Sequence, residues 1–327
     1  MYKVRATENI FNGYYFWYLA RSLVDMNSSG VISLDIIKDN RFKYDAADVG
    51  IYNNMGLIYV NDYPLYFDMF DTAKFWYESL INEDNFILLK GNRSEEILNG
   101  LVQCPNGLGD FVVVNKNRVI NFAYGRVFSI PFDTKELCVY LHKRYKKYKI
   151  VSYNGPGLED IHTESRAKVY DCINSLGKKV NLVYRKRPDI PSKYDGDFCL
   201  KYPEVFSHFP NLSELYQFIG SGEFSVNTPG IGLSQPAKLV DAVISGTAAI
   251  STTIYQDIYK DFPCVQLPVC GYYGTGDWEK AKEILSNLDS VDWYKMHNDS
   301  LVWYNKYLSA EGLWKNQLLK AYEKGTQ

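Results

Sequence analysis

The chain has 327 residues, of which 46% are hydrophobic, and a formal net charge of −2 from 36 basic and 38 acidic side chains. That supplies one large core or two ordinary ones, and it excludes an overall positive field able to collect nucleic acid or coat an anionic membrane. The six cysteines, at 104, 138, 172, 199, 264 and 270, contain no CxxC pair, which argues against a zinc or redox motif.

The N-terminus lacks the continuous apolar core of a signal peptide, and no run of about 18 apolar residues occurs anywhere. A cytoplasmic chain with at most peripheral membrane contact is therefore expected. Ile10, Tyr14, Trp17, Tyr18 and Arg21 have helical spacing. Short β-type runs follow at 30–34, 57–60 and 86–89, with a helical stretch at 72–80, an alternation that predicts a parallel sheet. Turns and short β segments at 104–131 close a first domain, placed at 1–135. The basic run 142–149 reads as the solvated end of a helix or a linker, with base stacking or a lipid interface as the weaker alternative.

The second half, placed at 136–305, is clearer. A β run at 149–153 stops at Asn154-Gly155-Pro156-Gly157, a strong turn signal. A helix follows, capped by Thr163 or Ser165, with Ala167, Val169, Tyr170, Ile173 and Leu176 as its apolar face and Gly177 as its C-terminal stop. A strand at 181–184 completes a β-loop-α-β unit, whose loop lies where open α/β sheets bind ligands. The same order recurs: a helix at 211–219, a strand at 223–227, the turn Thr228-Pro229-Gly230, a helix opened by Gln235-Pro236 and closed by Gly246, and a strand at 248–251. A helix at 278–288 and a helical tail at 293–322 finish the chain, with 306–327 set apart as a segment that packs back on the first domain.

A nucleotide diphosphate sugar presents two charges, a ribose diol and a sugar ring, so its site needs helix N-termini, basic side chains and a carboxylate. The two units supply these. The Gly155 to Gly157 turn and Arg166 serve the diphosphate, Thr228, Pro229 and Gly230 let backbone approach it, Lys238 adds charge, and Asp241 accepts from ribose hydroxyls. The stretches YNGPGLEDIHTESRAKVYDCI and GEFSVNTPGIGLSQPAKLVDAVISGTAAIST resemble the C-terminal domain of glycosyltransferases with the GT-B fold, particularly exostosin-like and other polysaccharide-building enzymes. The resemblance covers about 150–260. It implies an α/β protein of two Rossmann-like domains facing across a cleft, with a nucleotide-sugar donor, a glycan or glycolipid acceptor, no nucleic acid partner, and no cofactor or metal. Ser234 and Gln235 join the donor-binding set on the same ground.

Retaining enzymes of this fold often carry two glutamates eight residues apart; Asp241 takes the second position, but Leu233 stands at the first. That favours inversion, in which a carboxylate of the N-terminal domain deprotonates the acceptor. Asp62, after the run ending at Val60, and Asp110, in Gly107-Leu108-Gly109-Asp110, are the candidates, each weighed against a backbone-bonded turn aspartate. Arg185 ends a strand at the ligand edge and is a further phosphate candidate beside a solvated basic turn, while His162 touches the donor, caps the helix or is solvated. Gly271 to Gly276 is glycine-rich without reading as a phosphate loop. Asp195-Gly196-Asp197, read as a turn, keeps a metal-dependent alternative open. The rival functions are a nucleotide-sugar epimerase and a non-catalytic nucleotide- or sugar-binding protein.

Overall fold

The structure, a computed structural model, describes residues 1–12, 14–39, 55–69, 86–99, 101, 116–124, 146–155, 159–184, 212–229, 233 and 238–327. The chain divides into two compact units. Unit 1 is Met1–Ser129 with Gln256–Lys260 and Trp303–Gln327; unit 2 is Ile130–Tyr255 with Asp261–Val302. Both are α/β. Among the described residues no helix is long and apolar enough to cross a membrane.

Unit 1 holds β1 (Tyr2–Thr7), α1 (Trp17–Ser28), β2 (Ile32–Ile37), β3 (Met55–Val60), β4 (Tyr63–Asp68), β5 (Ile87–Lys90) and β6 (Val119–Asn121), with the sheet in the order β2-β1-β3-β4-β5-β6. The helical spacing at the N-terminus resolves into a turn at Asn9–Asn12, a 3-10 turn at Tyr14–Phe16 and then α1, which buries Tyr18, Leu19, Ser22, Leu23 and Met26 on one face. The expected parallel sheet is mixed instead. β3 runs antiparallel to both β1 and β4, while the other strands run with one another. The cause is a two-residue hairpin turn at Asn61 and Asp62, whose φ angles are +46° and +68°, the pair of left-handed residues that a type I′ turn demands.

The last helical segments belong to the same unit: Ala310–Leu313, a π-helical stretch Trp314–Leu318, and Leu319–Thr326. Trp314 is fully buried and meets Tyr2 edge-on, centroids 5.5 Å apart. Gln317 behaves like an extra strand residue. Its Oε1 accepts from the Ala123 N–H (2.7 Å), and its Nε2 donates to the carbonyls of Ala123 (3.2 Å) and Tyr307 (2.7 Å). Gln317→Leu keeps the volume but leaves the buried Ala123 N–H without this acceptor, so it should cost about 2 kcal/mol, read as a lower denaturation midpoint. An unchanged midpoint would mean that the clasp adds no stability.

Unit 2 holds β7 (Tyr148–Asn154), α2 (Asp160–Asn174), β8 (Val180–Tyr184), α3 (Leu212–Gly220), β9 (Gly222–Asn227), α4 (Lys238–Ile244), β10 (Ala248–Ser251), β11 (Cys264–Gln266) and α5 (Trp278–Ser286). Its sheet runs β8-β7-β9-β10-β11, with every pairing parallel. Ile150, Val169, Tyr170, Ile173, Phe224 and Ile250 form the centre of its core. Gly177 (φ +61°) follows α2, and Gly246 (φ +70°) follows α4, in the left-handed conformation glycine adopts without strain. Lys146 donates to the carbonyls of Gly220 (2.7 Å) and Gly246 (2.6 Å), placing one cation at the C-terminal ends of α3 and α4, where helix dipoles favour it. Burial there brings its pKa down to about 8.

Candidate functional site

In the sheet of unit 2 the chain leaves β7 toward β8 on one side, while β9, β10 and β11 build outward on the other. β7 and β9 are therefore the switch point, and their carboxyl ends are the usual ligand position in doubly wound sheets. The residues that end these strands are Asn154 and Asn227, both buried. The phenol of fully buried Tyr170 on α2 fixes this edge: it accepts from the Asn154 N–H (3.1 Å) and donates to the Val183 carbonyl (2.6 Å).

Six of the expected donor residues meet there. The Arg166 guanidinium on α2 donates to the Gly155 carbonyl (2.6 Å) and the Pro229 carbonyl (3.1 Å), tying the turn after β7 to the turn after β9. Lys238, opening α4, donates through Nζ to Asn154 Oδ1, which also accepts from Thr228 Oγ1 (3.3 Å). Asp241, one turn into α4, accepts from the Tyr216 hydroxyl on α3 (3.3 Å). Gly157, Arg185, Gly230, Ser234, Gln235 and Asp110 lie outside the described residues, as do Asp195 and Asp197.

α2 begins earlier than its sequence suggests. Its first residue is Asp160, and Glu159 at the cap position makes no side-chain capping bond. Thr163 and Ser165, expected as caps, lie inside the helix, where Thr163 Oγ1 donates back to the Glu159 carbonyl (3.3 Å). The Glu159 side chain thus takes none of the first-turn N–H groups. His162 neither caps nor faces solvent. It is 1% exposed, stacks on Tyr272 (centroids 4.4 Å apart) and contacts the Pro229 carbonyl through Nε2 (3.0 Å). Because a carbonyl only accepts, Nε2 carries the proton.

Burial, with the neighbouring Arg166, brings the pKa of His162 down to about 2, so the ring is neutral at physiological pH. Burial, again reinforced by Arg166, holds the Lys238 pKa well below the lysine range against the opposing pull of Asp241. Among the described residues, His162 Nδ1, Asn227 Oδ1 and Thr252 Oγ1 are buried without a hydrogen-bond partner. The glycine-rich run also reaches this edge: a Cβ on Gly271 would meet Thr252 Oγ1 at 2.3 Å and Pro229 Cδ at 2.4 Å. Sequence reading missed Asn154, Tyr272 and Tyr216, because an amide or a phenol carries no motif until the fold brings it to a strand end.

The catalytic candidate Asp62 is placed differently from expectation. β3 is the reversed strand, so its carboxyl end lies beside Lys3 and Tyr63, at the amino ends of β1 and β4. Asp62 is a turn aspartate there, its side chain 70% exposed and paired with Arg5 at 2.8 Å. At the opposite edge, where β4 and β5 end, Asp68 and Lys90 form an ion pair of 2.8 Å with both side chains 0% exposed. Neither residue was singled out from sequence. Leu233, eight residues before Asp241, is buried with φ +59°.

No family model matches the chain, and no curated protein matches it. Among solved structures, α,α-trehalose 6-phosphate synthase from Burkholderia multivorans is similar at a TM-score of 0.45 and 10% identity, over 72% of this chain and 58% of that one. HepE of Anabaena, solved in complex with UDP and glucose, gives 0.45 and 11% over 72% and 62%. A glycosyltransferase from Rickettsia africae gives 0.43 and 10% over 73% and 63%. The chain spans about three fifths of the length of these proteins, and likeness at this level decides nothing about activity.

Proposed function

We propose that this chain is a glycosyltransferase of the GT-B type that moves a sugar from a nucleotide diphosphate sugar to a hydroxyl of a glycan or glycolipid. One observation carries the proposal: Arg166, Lys238, Asp241 and the start of α2 converge at the switch point of a parallel sheet. Two cationic side chains beside helix N–H groups suit a diphosphate, and a carboxylate on the next helix suits a ribose diol.

In the transfer step the bond from the anomeric carbon to the diphosphate breaks and the leaving group gains charge. Arg166, Lys238 and the amides of α2 stabilise that charge in place of a metal. The apolar Leu233 favours inversion, with the acceptor hydroxyl deprotonated by a carboxylate of the N-terminal half. Asp62 does not fit that role, which leaves Asp110 of the two candidates.

A thermal-shift panel of nucleoside diphosphates and nucleotide sugars, with and without EDTA, tests this reading. One nucleotide should raise the midpoint in both conditions, by the equivalent of about 2.7 kcal/mol at a ligand concentration of about one hundred times Kd. No shift with any nucleotide would sink the proposal, and a shift abolished by EDTA would sink its metal independence.

A further inference from the structure

The Pro229 carbonyl, in the turn after β9, accepts two hydrogen bonds from α2: one from the Arg166 guanidinium (3.1 Å) and one from Nε2 of His162 (3.0 Å). Among the described residues these are its two donors. Pro229 is buried, so its carbonyl has no ready exchange for water if both are lost. His162 takes no part in the transfer step, yet its ring is fixed on more than one side. It is 1% exposed and lies on Tyr272 with the two planes 29° apart. The Tyr272 hydroxyl in turn donates to the Glu159 carboxylate, at the cap position of α2 (2.5 Å). The backbone just before Tyr272 abuts the turn itself, since a Cβ on Gly271 would meet Pro229 Cδ at 2.4 Å. Arg166, by contrast, divides its guanidinium between the Gly155 and Pro229 carbonyls.

We propose that His162 is a positioning residue of the donor site: it keeps the Pro229 carbonyl bonded when the diphosphate draws Arg166 away, so the turn after β9 stays in place as the guanidinium goes to the ligand. This rests on the diphosphate reading of the site. An arginine–phosphate pair combines opposite charge with a planar two-bond fit, which a neutral carbonyl does not offer, so the ligand competes for the N–H groups that Arg166 spends on the two turns. His162 itself touches no ligand and acts through Pro229.

This role separates affinity from stability. In the free protein either donor satisfies the carbonyl, so losing His162 alone leaves the Arg166 bond and changes the unfolding midpoint little. In the loaded protein His162 is the remaining donor, and its loss leaves a buried acceptor unbonded, which weakens nucleotide binding by about 5- to 100-fold. Glutamine at this position should restore binding. Its amide nitrogen stands the same number of bonds from Cα as Nε2 of histidine, and it donates to a carbonyl in the same way.

Calorimetric titration with UDP, or with another nucleoside diphosphate if the thermal-shift panel selects one, is run on the wild type, His162→Leu, His162→Phe and His162→Gln. Leucine and phenylalanine both remove the donor, and phenylalanine keeps a ring on Tyr272. Both should bind about 5- to 100-fold more weakly with midpoints near the wild type, and His162→Gln should bind nearly as the wild type does. Wild-type affinity in His162→Leu and His162→Phe overturns the inference and leaves the donor site intact. So does a loss in His162→Gln as large as in the other two, which makes the ring and not its N–H the cause, or a collapse of the fold in all three, which makes His162 purely structural. A second arm needs no nucleotide: urea midpoints of Arg166→Ala, His162→Leu and the double variant. The double variant alone strips the carbonyl of both donors, so it should lose more than the two single variants together. Additive losses overturn the inference whatever the nucleotide does, and absence of binding by every nucleotide overturns both readings.

Discussion

Arg166→Ala should abolish nucleotide stabilisation and lower kcat/KM by about 100- to 1000-fold, the cost of removing one preorganised charge donor from a developing oxyanion. The guanidinium has two jobs that the alanine variant confounds, because it also ties the Gly155 and Pro229 carbonyls together. Arg166→Gln separates them: its amide can still donate to a carbonyl, but it brings no charge. Loss of binding in both variants, with an unfolding midpoint close to wild type in Arg166→Gln, would identify the charge as the cause. If Arg166→Gln binds and turns over like the wild type, the guanidinium is a loop tie alone and the diphosphate site lies elsewhere. Partial burial of Arg166 keeps the expected stability loss well below the catalytic one.

Asp68→Ala should destabilise unit 1 by about 3–5 kcal/mol, because it removes the carboxylate paired with the Lys90 ammonium where no solvent reaches it. Attraction between the two charges offsets their desolvation only while both are present. Replacing both, as in Asp68→Leu with Lys90→Met, should recover most of the loss, since a well-packed apolar pair of similar volume is often as stable as the ion pair. Urea unfolding of the two single variants and the double variant gives the coupling energy directly. A coupling near zero would mean that other contacts, not this pairing, hold Lys90.

Unit 2 was readable because its signals are local. The strand at 248–251 and the stops at Gly177 and Gly246 come from apolar runs of strand length and from glycine in the left-handed region, both visible within a few residues. The carboxyl-edge position of Arg166 and Lys238 followed from those elements alone. Unit 1 resisted for equally specific reasons. Its hairpin turns on Asn61-Asp62 without a glycine, and the strand after it carries Pro64 at its second position, which argues against a strand inside a sheet. Reversal of β3 puts Asp62 at the amino ends of β1 and β4 rather than at a carboxyl edge, a placement that depends on this one unread turn. The Asp68–Lys90 pair depends on a register between strands 22 residues apart, and no local pattern announces it.

The composition of unit 1 has a consequence for how the protein is made. Its sheet comes from the first 129 residues, whereas Trp314, Gln317 and Leu318, which fill and clasp it, are synthesised only after all of unit 2. Asp257 and Tyr259, which bond to Glu95 and Tyr124, arrive only in the middle of the second half. On the ribosome the early strands must therefore wait, incompletely covered, while all of unit 2 is translated, so unit 2 has its whole chain available first. The nascent N-terminal half is the segment most in need of a holding chaperone, and a stop codon after Val302 would leave it without its lid of Trp314 and Leu318.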